Sequence, residues 1–248
     1  MTTIALFTLL FLGFWARAQL AAWGEVSGAR CIAVADRDRA KAEALARGFG
    51  VPAAYGSAEE LLDRERPDFV DVRQIRGDLH VHTDWSDGRA TLREMVDAAR
   101  ARGYAYVAIS DHSVGRGIAH GLSIERLRRQ IEEIHRLNES YRDITILAGS
   151  EVDIRRDGQL DYPDDLLAEL DICVGSIHSA FGLSADAQTE RLLTAMQNPY
   201  LDIIGHPTGR LIGQRDPINL HLRRVLETAA RLGVLLEVNA WPERLDLN

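Results

Sequence analysis

The sequence predicts an α/β protein whose larger part is an incomplete barrel of parallel strands. Apolar, strand-like runs alternate with amphipathic helical stretches from residue 75 onward, which is typical of parallel βα units. Most of these runs end in a histidine or an acidic residue. A shorter α/β stretch of different character precedes them, so we divide the chain into a first segment at 1–72 and a second segment at 73–248.

Composition is that of an ordinary globular protein. The chain has 248 residues, of which 46% are hydrophobic and 27% charged, and its formal net charge is −8. This length supports one large barrel or two small domains. The acidic balance argues against a protein that coats nucleic acid through a basic surface. Cys31 and Cys173 lie within apolar runs, which favours core packing in a reducing, cytoplasmic compartment over a disulfide.

The first residues allow two interpretations. Residues 4–16 form an apolar stretch that is shorter than a membrane span needs. Ala16-Arg17-Ala18 is typical of a signal-peptide cleavage site, yet no lysine or arginine precedes the apolar stretch. We therefore expect no membrane association and interpret the stretch as the start of an α/β fold.

The first segment has the strand and helix order of a nucleotide-binding fold. Asp36 directly follows a strand, at the position where Rossmann folds place the acid that contacts a ribose hydroxyl. The predicted elements are, in order, a strand at 30–35, a helix at 38–49, a short strand at 51–55, a helix after Ser57 and a strand at 69–72.

This segment resembles the nucleotide-binding half of the Gfo/Idh/MocA oxidoreductases over about residues 10–72, through motifs at 33–37, 49–53 and 58–62. The glycine-rich turn departs from that family's pattern, because Phe11 stands where the first glycine is needed and only Gly13 remains. The substrate half of that family is also missing. We therefore interpret 1–72 as a partial Rossmann-like segment, with an NAD(P)-binding oxidoreductase relic as the alternative.

Six strand-like runs are predicted in the second segment, fewer than the seven or eight that a closed parallel barrel usually has. The clearest helix follows Ser123, a suitable N-cap, and repeats apolar residues at helical spacing. The strands are predicted at 78–82, 105–110, 144–150, 171–177, 201–205 and 233–239, and the helices at 91–102, 123–139, 165–170, 187–197 and 220–232.

Metal-binding side chains follow these strands in order. His80 and His82 alternate along one strand, so their imidazoles lie on the same face. The turn at 83–88 can return Asp87 toward that face. Because the carboxyl ends of parallel strands meet at one edge, we expect a single cluster. The candidate metal ligands are His80, His82, Asp87, His112, Glu151, His178 and His206.

This ligand set indicates a catalytic centre. Histidine and carboxylate ligands without cysteine suit two or three ions of Zn, Mn or Fe, and Glu151 is placed to bridge two of them. We name Asp111 as a partner for a ligand histidine and Arg210 as a guanidinium for a substrate phosphate. The alternatives are a strand-end turn residue for Asp111 and a surface arginine for Arg210. Glu151, Asp111 and Arg210 are thus the candidate catalytic residues.

The same motifs resemble those of the PHP (polymerase and histidinol phosphatase) domain. The opening motif spans 76–83 and 85–88, and the later motifs follow in order at 109–113, 147–154, 176–181 and 204–210. The resemblance covers 73–248 and is strongest to the C-terminal PHP domain of bacterial family-X DNA polymerases. It implies a distorted (β/α)7-type barrel, a trinuclear metal centre and hydrolysis of phosphate esters, including 3′–5′ exonuclease activity on DNA 3′ ends.

One motif of the family has no counterpart in this sequence. The family ends its seventh strand with an Asp-x-His pair, and the sequence stops at Asn248 without it. We therefore expect a C-terminally truncated barrel that lacks its last strand and two ligands. An inactive or metal-binding-only PHP fragment is the alternative to an active enzyme.

Overall fold

A computed structural model describes residues 4–9, 20, 29–65, 75–115, 119–239 and 241–247. The chain divides into two compact units, Met1–Gln74 and Ile75–Asn248. The expected glycine-rich turn around Phe11 and Gly13 and the expected strand at 69–72 lie outside the described residues.

In its described part, the first unit has a parallel sheet of three strands in the order β1-β2-β3. Asp38 caps the helix after β2, because its side chain accepts a hydrogen bond from the Lys41 N–H. The helix ends at Gly50 in the left-handed conformation that glycine favours. The elements are β1 (Ile4–Leu9), β2 (Ala29–Ala35), α1 (Arg39–Phe49), β3 (Ala53–Tyr55) and α2 (Ala58–Glu65).

Strand β2 is buried on both faces. Val34 packs with Ala42 of α1, whereas its neighbour Ala33 packs with Leu61 of α2. Successive side chains of a strand point to opposite faces, so the two helices cover opposite faces of this sheet. That layering is typical of doubly wound α/β folds.

The described part of the second unit contains one sheet of six strands in the order β4-β5-β6-β7-β8-β9, and every adjacent pair is parallel. The strand order follows the chain, as expected for successive βα units. The strands are β4 (Gly77–Val81), β5 (Tyr106–Ile109), β6 (Thr145–Asp153), β7 (Ile172–Ser176), β8 (Ile203–Ile204) and β9 (Leu235–Leu236). The helices are α3 (Leu92–Ala101), α4 (Ile124–Asn138), α5 (Asp164–Leu167), α6 (Ala185–Ala195) and α7 (Leu222–Leu232).

The sheet curls so far that its first and last strands approach each other at their carboxyl ends. His80 of β4 and Glu237, which follows β9, are joined by a hydrogen bond of 2.9 Å. These two strands are the opposite edges of the sheet. The structure therefore confirms the predicted α/β fold, in which a curled parallel sheet forms an incomplete barrel.

The helices pack an apolar face against the sheet. In α4, Ser123 caps the first turn, and the buried side chains of Leu127, Ile131 and Ile134 join the core. A capping box between Thr91 and Glu94 begins α3 in the same way. These contacts confirm the helical periodicity read from the sequence. No helix of the described residues is long and apolar enough to cross a membrane.

Candidate metal centre

All seven predicted metal ligands lie at the carboxyl-terminal edge of the curled sheet. Glu151 is in the last part of β6, a strand that extends three residues beyond its predicted end. The extension occurs because 149–153 pairs with β7, where Glu151 is opposite Val174. The other six ligands are distributed along the same edge: His80 in β4, His82 directly after it, Asp87 in the following turn, and His112, His178 and His206 within three residues after β5, β7 and β8.

Glu151 is the centre of the cluster. Its side chain is 1% exposed and its two oxygens face five imidazoles. We call the three histidines facing Oε1 the inner side: His206 at 2.8 Å, His178 at 3.2 Å and His80 at 3.4 Å. We call the remaining ligands the outer side: His112 and His82, at 2.8 and 3.4 Å from Oε2, together with Asp87.

The outer side is exposed to solvent at Asp87. Its side chain is 45% exposed, and its two oxygens lie 2.8 Å from His82 Nδ1 and 3.4 Å from His112 Nε2. The turn that carries it folds back because the Gly88 N–H donates to the Thr83 carbonyl. The structure thus brings Asp87 to the place that the turn sequence predicts.

Close packing of β8 brings His206 into the cluster. A Cβ atom on Gly205 would lie 2.5 Å from Ser176 Oγ and 3.4 Å from the His80 ring. Only glycine allows the backbone to approach its neighbours this closely. His206 itself has a positive φ of 26°, a conformation that its hydrogen bonds must hold.

The donor set fits divalent cations. The buried Nδ1 of His112 lies 2.8 Å from Glu151 Oε2, yet among the described residues it has no hydrogen-bond partner. A buried polar nitrogen without a partner is costly, and a cation shared with the carboxylate would satisfy it. Three sets of ligand atoms lie within 4.8 Å of one another: His80, His82 and Glu151; His82, Asp87 and His112; and His112, Glu151 and His178.

The carboxylates and imidazoles of the cluster stabilise each other's charged forms. Burial alone would lower the pKa of His80, but the carboxylates of Glu151 and Glu237 raise it to about 10. Burial also opposes the charge of His82, and Asp87 and Glu151 raise its pKa to about 9. In return, although burial alone would raise it, the histidines hold the pKa of Glu151 well below its usual range. Without a cation, the centre therefore retains protons that a bound cation would displace.

Two carboxylates behind the inner side were not identified from the sequence. Asp153 Oδ1 lies 2.5 Å from His178 Nδ1, and Glu237 Oε1 lies 2.9 Å from His80 Nδ1. Asp153 had a signal in the sequence, since it lies two residues after Glu151 and shares its face of β6. Glu237 directly follows the last strand of the structure, but the sequence predicts a strand through 239, so its position at a strand end gave no signal.

Asp111 differs from its predicted role as a partner for a ligand histidine. Its buried carboxylate accepts hydrogen bonds from the Thr83 N–H at 2.8 Å, the Gln130 side chain at 2.7 Å and the Ser86 hydroxyl. It therefore fixes the turn that carries Asp87. The donors come from another strand end and from α4, which strand-end spacing alone does not reveal.

Arg210 lies in the loop after β8. Its Nε donates to the carbonyl of Arg244 at 2.5 Å, so this loop is fixed to the segment after β9. The neighbouring Thr208 is held by the buried carboxylate of Asp246.

Both cysteines, Cys31 and Cys173, are free thiols, as the sequence predicts.

The chain is similar to a known domain family and to proteins of that family. The model of the PHP domain family matches residues 78–240. The DNA polymerase/3′-5′ exonuclease PolX of Bacillus subtilis is 47% identical over 180 residues, which are 73% of this chain and 32% of that protein. A probable phosphatase of Thermoanaerobacter sp. is 34% identical over 169 residues, which are 65% of this chain and 63% of that protein.

The chain thus spans about a third of the length of the first relative and less than two thirds of the second. A solved oxidoreductase from Agrobacterium radiobacter, in complex with NAD⁺, L-tartaric acid and magnesium, matches 54% of this chain and 32% of that chain at 22% identity. Its TM-score of 0.22 is too low to carry an argument about the fold. The family model covers the six-stranded sheet of the second unit and all seven candidate ligands, and the chain therefore belongs to the PHP domain family.

Proposed function

We propose that the second unit is a phosphoesterase that depends on divalent cations. The observation that carries this proposal is the buried carboxylate of Glu151, whose two oxygens face five imidazoles. One carboxylate between two sets of nitrogen ligands suits a site for at least two ions. The relatives named as a 3′-5′ exonuclease and as a probable phosphatase support the same class of reaction.

The inner and outer sides would hold the ions, which we propose to be Zn, Mn or Fe. Bound there, such ions supply Lewis-acid chemistry: they polarise a phosphoryl oxygen and lower the pKa of water. Glu151 stays ionised, because its pKa lies well below the usual range. Asp87 stays ionised as well: the His82 hydrogen bond outweighs its burial and lowers its pKa to about 2. Both carboxylates can therefore bind cations at neutral pH.

Substrate contacts are proposed from the loops that follow β8 and β4. Arg210 would donate to a phosphate oxygen through its terminal nitrogens, since its Nε is used by the Arg244 carbonyl. Trp85 lies in the turn after β4, and the Arg126 guanidinium lies 5.9 Å from its ring centre. An aromatic ring with a neighbouring cation is a suitable platform for a nucleic-acid base. These contacts favour DNA 3′ ends as the substrate, with small phosphate esters as the second candidate.

The experiment uses the full chain with Mn²⁺ and two substrates, p-nitrophenyl phosphate and a labelled single-stranded oligonucleotide. We expect hydrolysis that EDTA abolishes and that Glu151→Gln reduces by at least 100-fold, because this change removes the shared ligand. Glu169→Gln is the matched control, since Glu169 is a partly exposed glutamate paired with Arg128. Metal binding without hydrolysis of either substrate would identify a metal-binding-only PHP fragment and overturn the proposed activity.

For the first unit we propose a partial Rossmann-like segment without dehydrogenase activity. Helices on both faces of β2 support this interpretation. Asp36 is already used locally, because its Oδ1 accepts a hydrogen bond of 2.6 Å from the Asp38 N–H. A fluorescence titration with NADH tests the alternative. Saturable binding would indicate a nucleotide site in this unit, and we expect none.

A further inference from the structure

We propose that Glu237 is a positioning residue of the metal centre, which aims the His80 ring and holds the His206 backbone. This inference rests on the proposed cation-dependent centre. Glu237 is absent from the ligands that the sequence predicts, and it reaches two of them from the end of the last strand.

The first contact fixes the orientation of His80. The two ring nitrogens lie between two carboxylates, with Nδ1 at 2.9 Å from Glu237 Oε1 and Nε2 at 3.4 Å from Glu151 Oε1. When Nδ1–H donates to Glu237, the Nε2 lone pair points toward Glu151 and the shared cation. Such a carboxylate partner fixes the tautomer of a metal-binding histidine and increases its basicity.

The second contact fixes His206. The other oxygen of Glu237, Oε2, accepts a hydrogen bond of 2.6 Å from the His206 N–H. His206 has a positive φ of 26°, which a residue other than glycine adopts only when its surroundings hold it there. Its Nε2 lies 2.8 Å from Glu151 Oε1. One carboxylate therefore sets the position of two inner ligands at once.

Glu237 is itself well anchored. Its backbone N–H donates to the Ile204 carbonyl of β8 at 2.9 Å, and its side chain is 17% exposed. A second pair in the same centre has the same construction, because Asp153 bonds His178 Nδ1 while His178 Nε2 faces Glu151. The repetition on a different strand argues against an accidental contact.

The test is the Zn²⁺ affinity of the metal-free full chain, measured by competition with a chromophoric chelator. We expect Glu237→Ala to lower the affinity by roughly 10–100-fold, as loss of a carboxylate behind a ligand histidine typically does. Glu237→Gln has one acceptor oxygen for two N–H donors, so its affinity should fall between those of Glu237→Ala and the wild type. Glu243→Ala, which alters an exposed glutamate of the same segment, should match the wild type.

Nitrogen NMR of the Zn²⁺-loaded protein separates positioning from a general structural role. In the wild type we expect His80 to retain a proton on Nδ1 and to bind Zn²⁺ through Nε2. In Glu237→Ala this proton loses its carboxylate acceptor, so we expect the His80 Nδ1–H resonance to shift upfield and to exchange faster with solvent, while the His178 resonances, backed by Asp153, stay unchanged.

The two proposals fail in different ways. Wild-type protein that binds no Zn²⁺ would overturn both the cation-dependent centre and the role of Glu237. Wild-type binding with an equal affinity in Glu237→Ala, or with an unchanged His80 Nδ1–H resonance, would overturn the role of Glu237 alone.

Discussion

The inner and outer sides of the metal centre share Glu151 but are supported differently. On the inner side, His178 and His80 are each backed by a carboxylate, and their side chains are only 5% and 15% exposed. On the outer side, Asp87 is 45% exposed and is held through its turn. From this difference we infer that the inner side would bind an ion more tightly and that the outer side would face the substrate.

The largest loss of cation affinity is expected when an inner ligand is removed. We expect His178→Ala to lower the affinity for the tighter Zn²⁺ ion by more than roughly 100-fold, since loss of only the carboxylate behind a ligand histidine costs roughly 10–100-fold. Calorimetric titration of the metal-free protein measures this. His135→Ala, which alters an exposed histidine of α4, is the control and should leave the affinity unchanged. A similar affinity in His178→Ala and the wild type would contradict the inner assignment.

The Asp111→Asn variant tests whether Asp111 stabilises the turn that carries Asp87. In the wild type, the Thr83 N–H and the Gln130 amide donate to different oxygens of Asp111. The Asp111→Asn side chain has only one acceptor oxygen for these two donors. We expect a loss of about 2 kcal/mol in the free energy of unfolding, because a buried donor is left without a partner.

Urea denaturation of the metal-free protein gives that free energy. Asp143→Asn is the matched control, since Asp143 forms an exposed ion pair with Arg100 and its substitution should leave the stability nearly unchanged. Equal stabilities of the two variants would show that Asp111 does not hold the turn.

The dependence of cation binding on pH tests both sides together. In the metal-free protein, burial would lower the pKa values of His80 and His82, but the neighbouring carboxylates raise them to about 10 and about 9. Both rings are thus protonated at neutral pH, and a cation must displace those protons. Affinity should rise by about tenfold per pH unit for each displaced proton from about pH 6 to about pH 9. A flat profile over this range would contradict these protonation states.

The smallest change in affinity for the tighter ion is expected when the exposed ligand Asp87 is altered. Asp87→Asn keeps the shape of the side chain but weakens one ligand of the outer side. We expect less than about a threefold change in affinity for the tighter ion, with a larger loss for the second ion and in kcat, because Asp87 lies at the solvent. Loss of the tighter ion in this variant would reverse the assignment of the two sides.

Much of the centre could be predicted because an apolar run that ends in a polar residue marks the end of a strand in the sequence. His80 and His82 follow from the two-residue period of a strand, and Glu151 from the alignment of parallel strand ends. Glu237 and Asp111 could not be assigned in this way. The bond from Glu237 to His80 joins the two edges of the sheet, so it depends on how far the sheet curls. The partners of Asp111 depend on the packing of α4 over the turn.

The central claim is that Glu151 joins two cation sites of unequal strength. The most direct test is a titration of metal-free full chain with Zn²⁺, with the bound ions counted by elemental analysis. We predict at least two ions per chain, the first bound tightly by the wild type and by Asp87→Asn, and neither retained by Glu151→Gln. Wild-type protein that binds no ion, or a Glu151→Gln variant that retains both, would contradict the claim.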